Sequence, residues 1–98
     1  MAIDPAGPHA IALDGPATIY EASALRDVLR DAAATGEDLL IDLRETGKWD
    51  LAGVQLLVSC VRTGRRGGRS IRLSNVPKAC AEVAERSGLG DWLRSVSD

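Results

Sequence analysis

The segment Leu39-Leu40-Ile41-Asp42-Leu43 is nearly continuous in apolar side chains and stands between two stretches of helical periodicity. A strand with one solvated face alternates apolar and polar residues. An almost unbroken run instead reads as a strand covered on both faces, central and parallel to its neighbours. Parallel neighbours cannot be joined by a tight turn, and each connection must be a right-handed crossover, normally through a helix. This run therefore predicts α/β architecture, with helices on the sheet and with strand C-terminal ends and helix N-termini gathered along one edge. A functional surface is expected at that edge.

The flanking segments agree. Ala22, Leu25, Leu29, Ala32 and Ala33 fall on one face of a helix spanning Glu21 to Ala34, with Arg26, Asp27, Arg30 and Asp31 elsewhere and Gly36 as its stop. After a loop from Arg44 to Trp49, a second helix runs from about Leu51 to Arg65. Asp50 is its candidate N-cap, because a carboxylate there accepts from exposed amides, and Gly67-Gly68 ends it. Ser70 to Leu73 alternates as a strand. Pro77 opens a third helix that runs to Ser87 before Gly88, and Asp91 caps a last turn that lays Trp92 and Leu93 on the core. Ahead of all these, Ala10–Leu13 and Ala17–Ile19 read as two short strands around an Asp14-Gly15-Pro16 turn. Residues 1–9, with Pro5 and Pro8, read as a loosely ordered lead-in, and residues 10–98 as one domain.

Composition narrows the chemistry. A chain of 98 residues buries roughly 60–65% of its unfolded surface, enough for one core. Twelve Lys plus Arg against 14 Asp plus Glu give a net charge of -2, with no global attraction to nucleic acid or anionic membrane. The N-terminal residues lack the basic and apolar regions of a secretory signal, and no apolar run reaches membrane-spanning length, so a cytoplasmic protein without membrane insertion is expected. Cys60 and Cys80 have no metal-type or redox-type spacing and read as small core hydrophobes. His9, the one histidine, lies in the lead-in, which leaves neither a histidine metal site nor a Ser/His/Asp triad easy to build. No cofactor and no metal are expected.

The second helix carries the most information. Leu51, Val54, Leu57, Val58 and Val61 share one sector and are expected to face the sheet. Ala52, Gln55, Ser59, Arg62 and Arg66 occupy the opposite sector, with Leu56 and Thr63 at its margin. Small residues at the helix start let another molecule approach the positive end of the helix dipole. The plainer alternative is that Gly53 packs against a strand and Leu56 is a core residue at the helix edge.

The strand Leu39-Leu-Ile-Asp-Leu-Arg followed by Trp49-Asp-Leu-Ala-Gly-Val-Gln-Leu-Leu-Val resembles the STAS domain of bacterial anti-sigma-factor antagonists and related regulatory modules. In that family an apolar strand ending in Asp-Leu precedes an Asp-Ser-Ser/Ala-Gly-Leu/Val signature that opens a helix. Gly15 to Glu21 with the first helix, and Val76 to Leu93, match the family's opening and closing passages. The resemblance implies a single STAS-like α/β domain with a mostly parallel sheet of about four strands, one of them an antiparallel or edge strand. It also implies helices predominantly on one face and no catalytic activity. In the family's switched members a serine at the start of this helix accepts phosphate from a partner kinase. Here that position is Ala52, with Leu51 beside it, so no phosphoacceptor is expected there; Ser59 and Thr46 are the hydroxyls left to consider. The implied function is a protein-interaction module without that switch. Its partner-binding residues would be Asp50, Ala52, Gly53, Gln55, Leu56, Ser59 and Arg62. The implied partner is an anti-sigma-factor serine kinase with a GHKL-type ATP site, a sensory or chemotaxis protein, or the ATPase subunit of a lipid or anion transporter.

Two rival readings start from other residues. Arg62, Arg65, Arg66, Arg69 and Arg72 crowd the end of the second helix and the next strand, where they could meet nucleic-acid phosphates. The chain lacks a stacking surface and a reading motif, and cations at a helix C-terminus are favourable for local reasons. Asp42 and Asp50 could form a carboxylate pair, but a strand terminus and a helix cap account for both.

Overall fold

The computed structural model describes residues 9–34 and 36–98. In chain order these form β1 (His9–Ala17), α1 (Ala22–Ala33), β2 (Leu39–Trp49), α2 (Leu51–Arg66), β3 (Ile71–Ser74), α3 (Lys78–Arg86) and α4 (Gly90–Val96). Among the described residues the sheet has three strands in the order β1-β2-β3, and both pairings are parallel. The βαβ architecture is therefore present, and among the described residues the sheet has one strand fewer than the expected four and no antiparallel member.

The missing strand has a physical explanation. Ala10–Leu13 and Ala17–Ile19 are not the arms of a hairpin, because the chain does not reverse at Asp14-Gly15-Pro16. It continues as β1, with Asp14 beside Glu45 and Gly15 beside Thr46. Gly15 does take a positive φ of 73°, as the Asp-Gly pair suggested, but the conformation serves irregular parallel pairing. Between Ala12 and Asp14 the partner advances from Asp42 to Glu45, and between Gly15 and Ala17 it advances from Thr46 to Trp49. Each step leaves one extra residue on β2, as in a β-bulge. The expected loop Arg44–Trp49 is consequently the second half of β2. Its first half is also not covered on both faces: Leu39, Ile41 and Leu43 are buried while Leu40 and Asp42 are half-buried, and Ile71 and Leu73 of β3 alternate in the same way with Arg72 and Ser74.

α1 and α2 pack on one another, and α3 touches both α2 and β2, so the helices gather on the buried side of the sheet. Val54, Leu57 and Val61 of α2 are within 1% of full burial there. Leu51, assigned to the same sector from periodicity, is 42% exposed, because it occupies the first helical turn beyond the sheet's edge. Cys60 and Cys80 are buried and unbridged. Burial pushes the Cys80 thiol up to about 12; it also raises that of Cys60, with Arg69 acting in the opposite direction.

The helix ends shift slightly from expectation. Pro77 is the N-cap of α3 and not its first residue. Leu89, not Asp91, caps α4, and the Asp91 carboxylate pairs with Arg94 instead. Leu93 is buried and Trp92 half-buried, as expected of a closing turn on the core. Residues 1–8 of the expected lead-in lie outside the described residues. His9 already belongs to β1, opposite Leu39.

Candidate functional site

Asp50 organises the edge where the strands end and α2 begins. Its carboxylate accepts from Gly53 N at 3.3 Å through Oδ1, the expected N-cap bond. Through Oδ2 it accepts from Ile19 N at 2.9 Å. One side chain thus ties the β1–α1 loop to the start of α2, and Asp50 N, donating to Ala17 O at 3.4 Å, reinforces the join. The loop has its own fastening. Thr18 N and Thr18 Oγ1 both donate to Glu21 Oε1, at 2.9 and 2.6 Å, and Tyr20 N donates to Thr18 Oγ1 at 3.3 Å. This is the reciprocal logic of a capping box, and those bonds hold the Glu21 carboxyl below its usual range.

The consequence is an apolar corner. Ile19 is 62% exposed, Tyr20 91% and Leu51 42%, and only Val28 joins them among the exposed large hydrophobic residues described. All three flank the Asp50 clasp, since Ile19 donates to it, Tyr20 follows Ile19 and Leu51 follows Asp50. Large apolar side chains collected at one exposed spot mark an interaction surface far better than scattered ones.

The residues singled out from sequence do not all share this corner. Ala52 is half-buried and Gln55 exposed at the start of α2. Gly53 is buried, and a Cβ placed on it would lie 2.2 Å from Ala17 O and 3.0 Å from a Trp49 ring carbon. Its missing side chain admits the molecule's own β1, which is the plainer alternative and not room for an approaching partner. Leu56 is half-buried and, with Ser59, lines a cleft against α1. Arg62 lies on the other flank of α2 beside Trp92 of α4. The stripe Gln55-Leu56-Ser59-Arg62 therefore spans two flanks. Thr46 Oγ1 donates to Leu43 O at 2.7 Å and accepts from Trp49 Nε1 at 2.9 Å, so its hydroxyl is committed to the bulged half of β2.

The residues behind the rival readings are likewise engaged. Asp42 accepts from Arg44 N at 2.9 Å and Asn75 Nδ2 at 3.1 Å, bonds that hold its carboxyl below the usual range. Asp50 is occupied as described. Of the five clustered arginines, Arg72 is bound to Asp98 at 2.7 Å and to the Ser95 and Ser97 carbonyls, and Arg69 donates to Ala33 O. Arg62, Arg65 and Arg66 remain as a cationic flank. Among the described residues no group of three or more His, Cys, Asp and Glu side chains is placed to hold a metal ion, and no helix is long and apolar enough to cross a membrane.

A parallel three-stranded sheet covered on one side, with an Asp-capped helix opening at the strand edge, defines a small α/β domain class. The family described as "Mlab, STAS domain" matches residues 4–95, and the chain belongs to the STAS domain family. It is similar to the anti-sigma-B factor antagonist of Bacillus subtilis (strain 168), at 28% identity over 79 residues, covering 81% of this chain and 72% of that protein. The crystal structure of a sulfate transporter family protein from Wolinella succinogenes shares the fold. Its TM-score is 0.70 at 20% identity, over 91% of this chain and 74% of that one.

Ile19 and Tyr20 were legible in principle. The Thr18-x-x-Glu21 pattern predicts a turn that opens a helix, and two large apolar residues inside such a turn have no core to enter. Assigning Ala17–Ile19 to a strand conceals that signal.

Proposed function

We propose that this chain is a non-catalytic protein-interaction regulatory module, an antagonist of an anti-sigma factor, that docks its partner on the corner made by the β1–α1 loop and the first turn of α2. The observation that carries this reading is the exposure of Ile19, Tyr20 and Leu51 around the Asp50 clasp. The similarity to an anti-sigma-B factor antagonist supports the class of partner. Asp50 would set the relative position of loop and helix, while Ala52 and Gln55 would border the contact. Gly53 is left out of the contact set, and Leu56, Ser59 and Arg62 would extend it only where a partner wraps the flanks of α2. Ala52 presents a methyl group where the family's switched members carry a hydroxyl, so the partner would be held without release by phosphate at that residue.

A second reading, a STAS subunit serving a transporter or a sensory complex, is supported by the shared fold with a sulfate transporter family protein. Affinity capture from the native cell, with peptide identification, separates the two. Wild type should retain an anti-sigma factor, and the Tyr20→Ser/Leu51→Asp variant should lose it with an unchanged melting temperature, because both residues are exposed. Retention of a transporter ATPase would favour the second reading. Equal retention by both forms would move the contact away from this corner.

A further inference from the structure

The cleft between α1 and α2 combines two properties that neither the fold nor partner docking requires. Its volume is about 460 Å³, within the range of roughly 300–1,000 Å³ typical of small-molecule sites. Leu29 and Ala33 of α1 and Leu56 and Cys60 of α2 give it an apolar floor, while Arg26, Arg30 and Arg69 stand around it, and none of the described lining residues is acidic. None of these arginines takes part in the ion pairs formed by the described residues, which involve Arg72, Arg86 and Arg94. Arg26 and Arg30 are four residues apart on one helix, so their side chains are surface neighbours. Asp27 and Asp31 of α1 do not line the cleft. A chain of net charge -2 thus gathers three arginines around an apolar trough, with Asp27 as the nearest acidic neighbour on the helix surface. Arg69 already donates to Ala33 O, which leaves Arg26 and Arg30 as the pair to meet a ligand.

We propose that this cleft binds a single-chain amphiphile with an anionic head, a fatty-acyl carboxylate or an alkyl phosphate. Its tail lies along Leu29, Leu56 and Cys60, and its head is held by Arg26 and Arg30. Two adjacent guanidiniums present parallel N–H donors that suit a carboxylate or phosphate. The hydroxyls of Ser59 and Thr63, also in the lining, offer further donors. A nucleotide fits poorly, because no aromatic side chain lines the cleft to stack on a base. A fully hydrophilic anion would leave the apolar floor unused.

The test is an amide-resolved NMR titration of the intact chain with decanoate, dodecanoate and dodecyl phosphate below their micellar concentrations, and with 1-decanol as the uncharged control. Saturable shifts are expected at Arg30, Ala33, Leu56, Ser59 and Thr63, with affinity rising up to about fourfold for each added methylene. Replacing both Arg26 and Arg30 by Gln should weaken the anionic amphiphiles at least about tenfold, and replacing Arg65 and Arg66 by Gln should not. Preference for dodecyl phosphate over dodecanoate would assign a phosphate head, and the reverse a carboxylate. The proposal is overturned by the absence of saturable shifts in the cleft, by equal binding of 1-decanol, or by equal losses in the two arginine pairs. Shifts produced by a poly-glutamate peptide but not by the amphiphiles would also overturn it, assigning the cleft to an acidic protein segment.

Discussion

Gly53 and Gly64 both lie on the buried side of α2, yet they differ in what a methyl group would meet. At Gly53 the nearest atom is the carbonyl oxygen of Ala17, 2.2 Å away, and β1 cannot retreat without breaking its pairing with β2 and its bond to Asp50. At Gly64 the atoms at 2.2 and 2.6 Å are Cδ1 and Cγ1 of the buried Ile71 side chain. Turning its outer bond moves Cδ1 alone, and freeing Cγ1 takes a χ1 change in a β-branched residue, still less than a backbone shift. Gly53→Ala should therefore cost about 3 kcal/mol and Gly64→Ala about 1–2 kcal/mol. At roughly 4–8 °C per kcal/mol for a domain of this size, thermal denaturation would separate them. Equal losses would mean that β1 yields as easily as the Ile71 side chain. A second residue-scale effect is electrostatic. The carboxyls of Asp42 and Glu21 are lowered on folding by the hydrogen bonds they accept, from Arg44 and Asn75 and from Thr18. A group lowered on folding contributes stability that is complete above its unfolded value and disappears as pH falls through its folded one. Melting temperature should thus fall as the pH drops below about 4, and Asp42→Asn should be less stable than wild type at neutral pH but show a shallower acid decline. An unchanged acid limb would remove Asp42 from this account.

At the scale of elements, helices were more legible than strands because their signal is local. The face of α1, the Asp50 cap of α2 and the stops at Gly36 and Gly67-Gly68 are each set by residues within a turn or two, and the structure agrees with all of them. Strand pairing depends on a distant partner, and there the reading failed: an Asp-Gly pair that normally turns a hairpin instead bends one strand of a bulged parallel pair. The exposed corner was hidden by the same error. Leu51 follows a helical apolar period but lies past the sheet's edge, a position that periodicity cannot see. Asp50 offers the sharpest check of how loop and helix are joined. Asp50→Ala removes a cap and a tie to Ile19 together, and should cost about 1–2 kcal/mol, with faster amide exchange at Ile19 and Gly53. Exchange rising at Gly53 alone would leave the loop standing without the clasp. A separate check concerns the helix's missing hydroxyl. Ala52→Ser should gain the mass of one phosphate when incubated with ATP and a cognate serine kinase, whereas wild type should gain none at this residue. Modification of wild type within the Trp49–Arg62 peptide would point to Ser59.

For the whole molecule, a sheet covered on one side leaves its far edge to be secured by the chain that follows, and the Arg72 side chain makes that connection. Arg72 lies on β3, and its guanidinium reaches Asp98 Oδ1 at 2.7 Å, Ser97 O at 2.8 Å and Ser95 O at 3.1 Å. Asp98 N donates to Leu73 O at 2.8 Å, and a parallel bridge joins Ser97 to Leu73. The residues after α4 thus extend the sheet by a single bridge beyond β3, and Leu93 and Val96 are buried behind them. An exposed ion pair alone would contribute at most about 1 kcal/mol. Here the same cation also satisfies two backbone carbonyls at the end of a helix, where cations are favoured. Arg72→Ala should therefore lower global stability by only about 1–2 kcal/mol. The larger effect is expected locally, as α4 and Asp98 open before the rest of the molecule. Hydrogen exchange checks this directly, because amides of α4 should lose protection while Val54, Leu57 and Ile41 keep theirs. A uniform loss across the sheet and α2 would instead make the Arg72 connection part of one cooperative unit with the core.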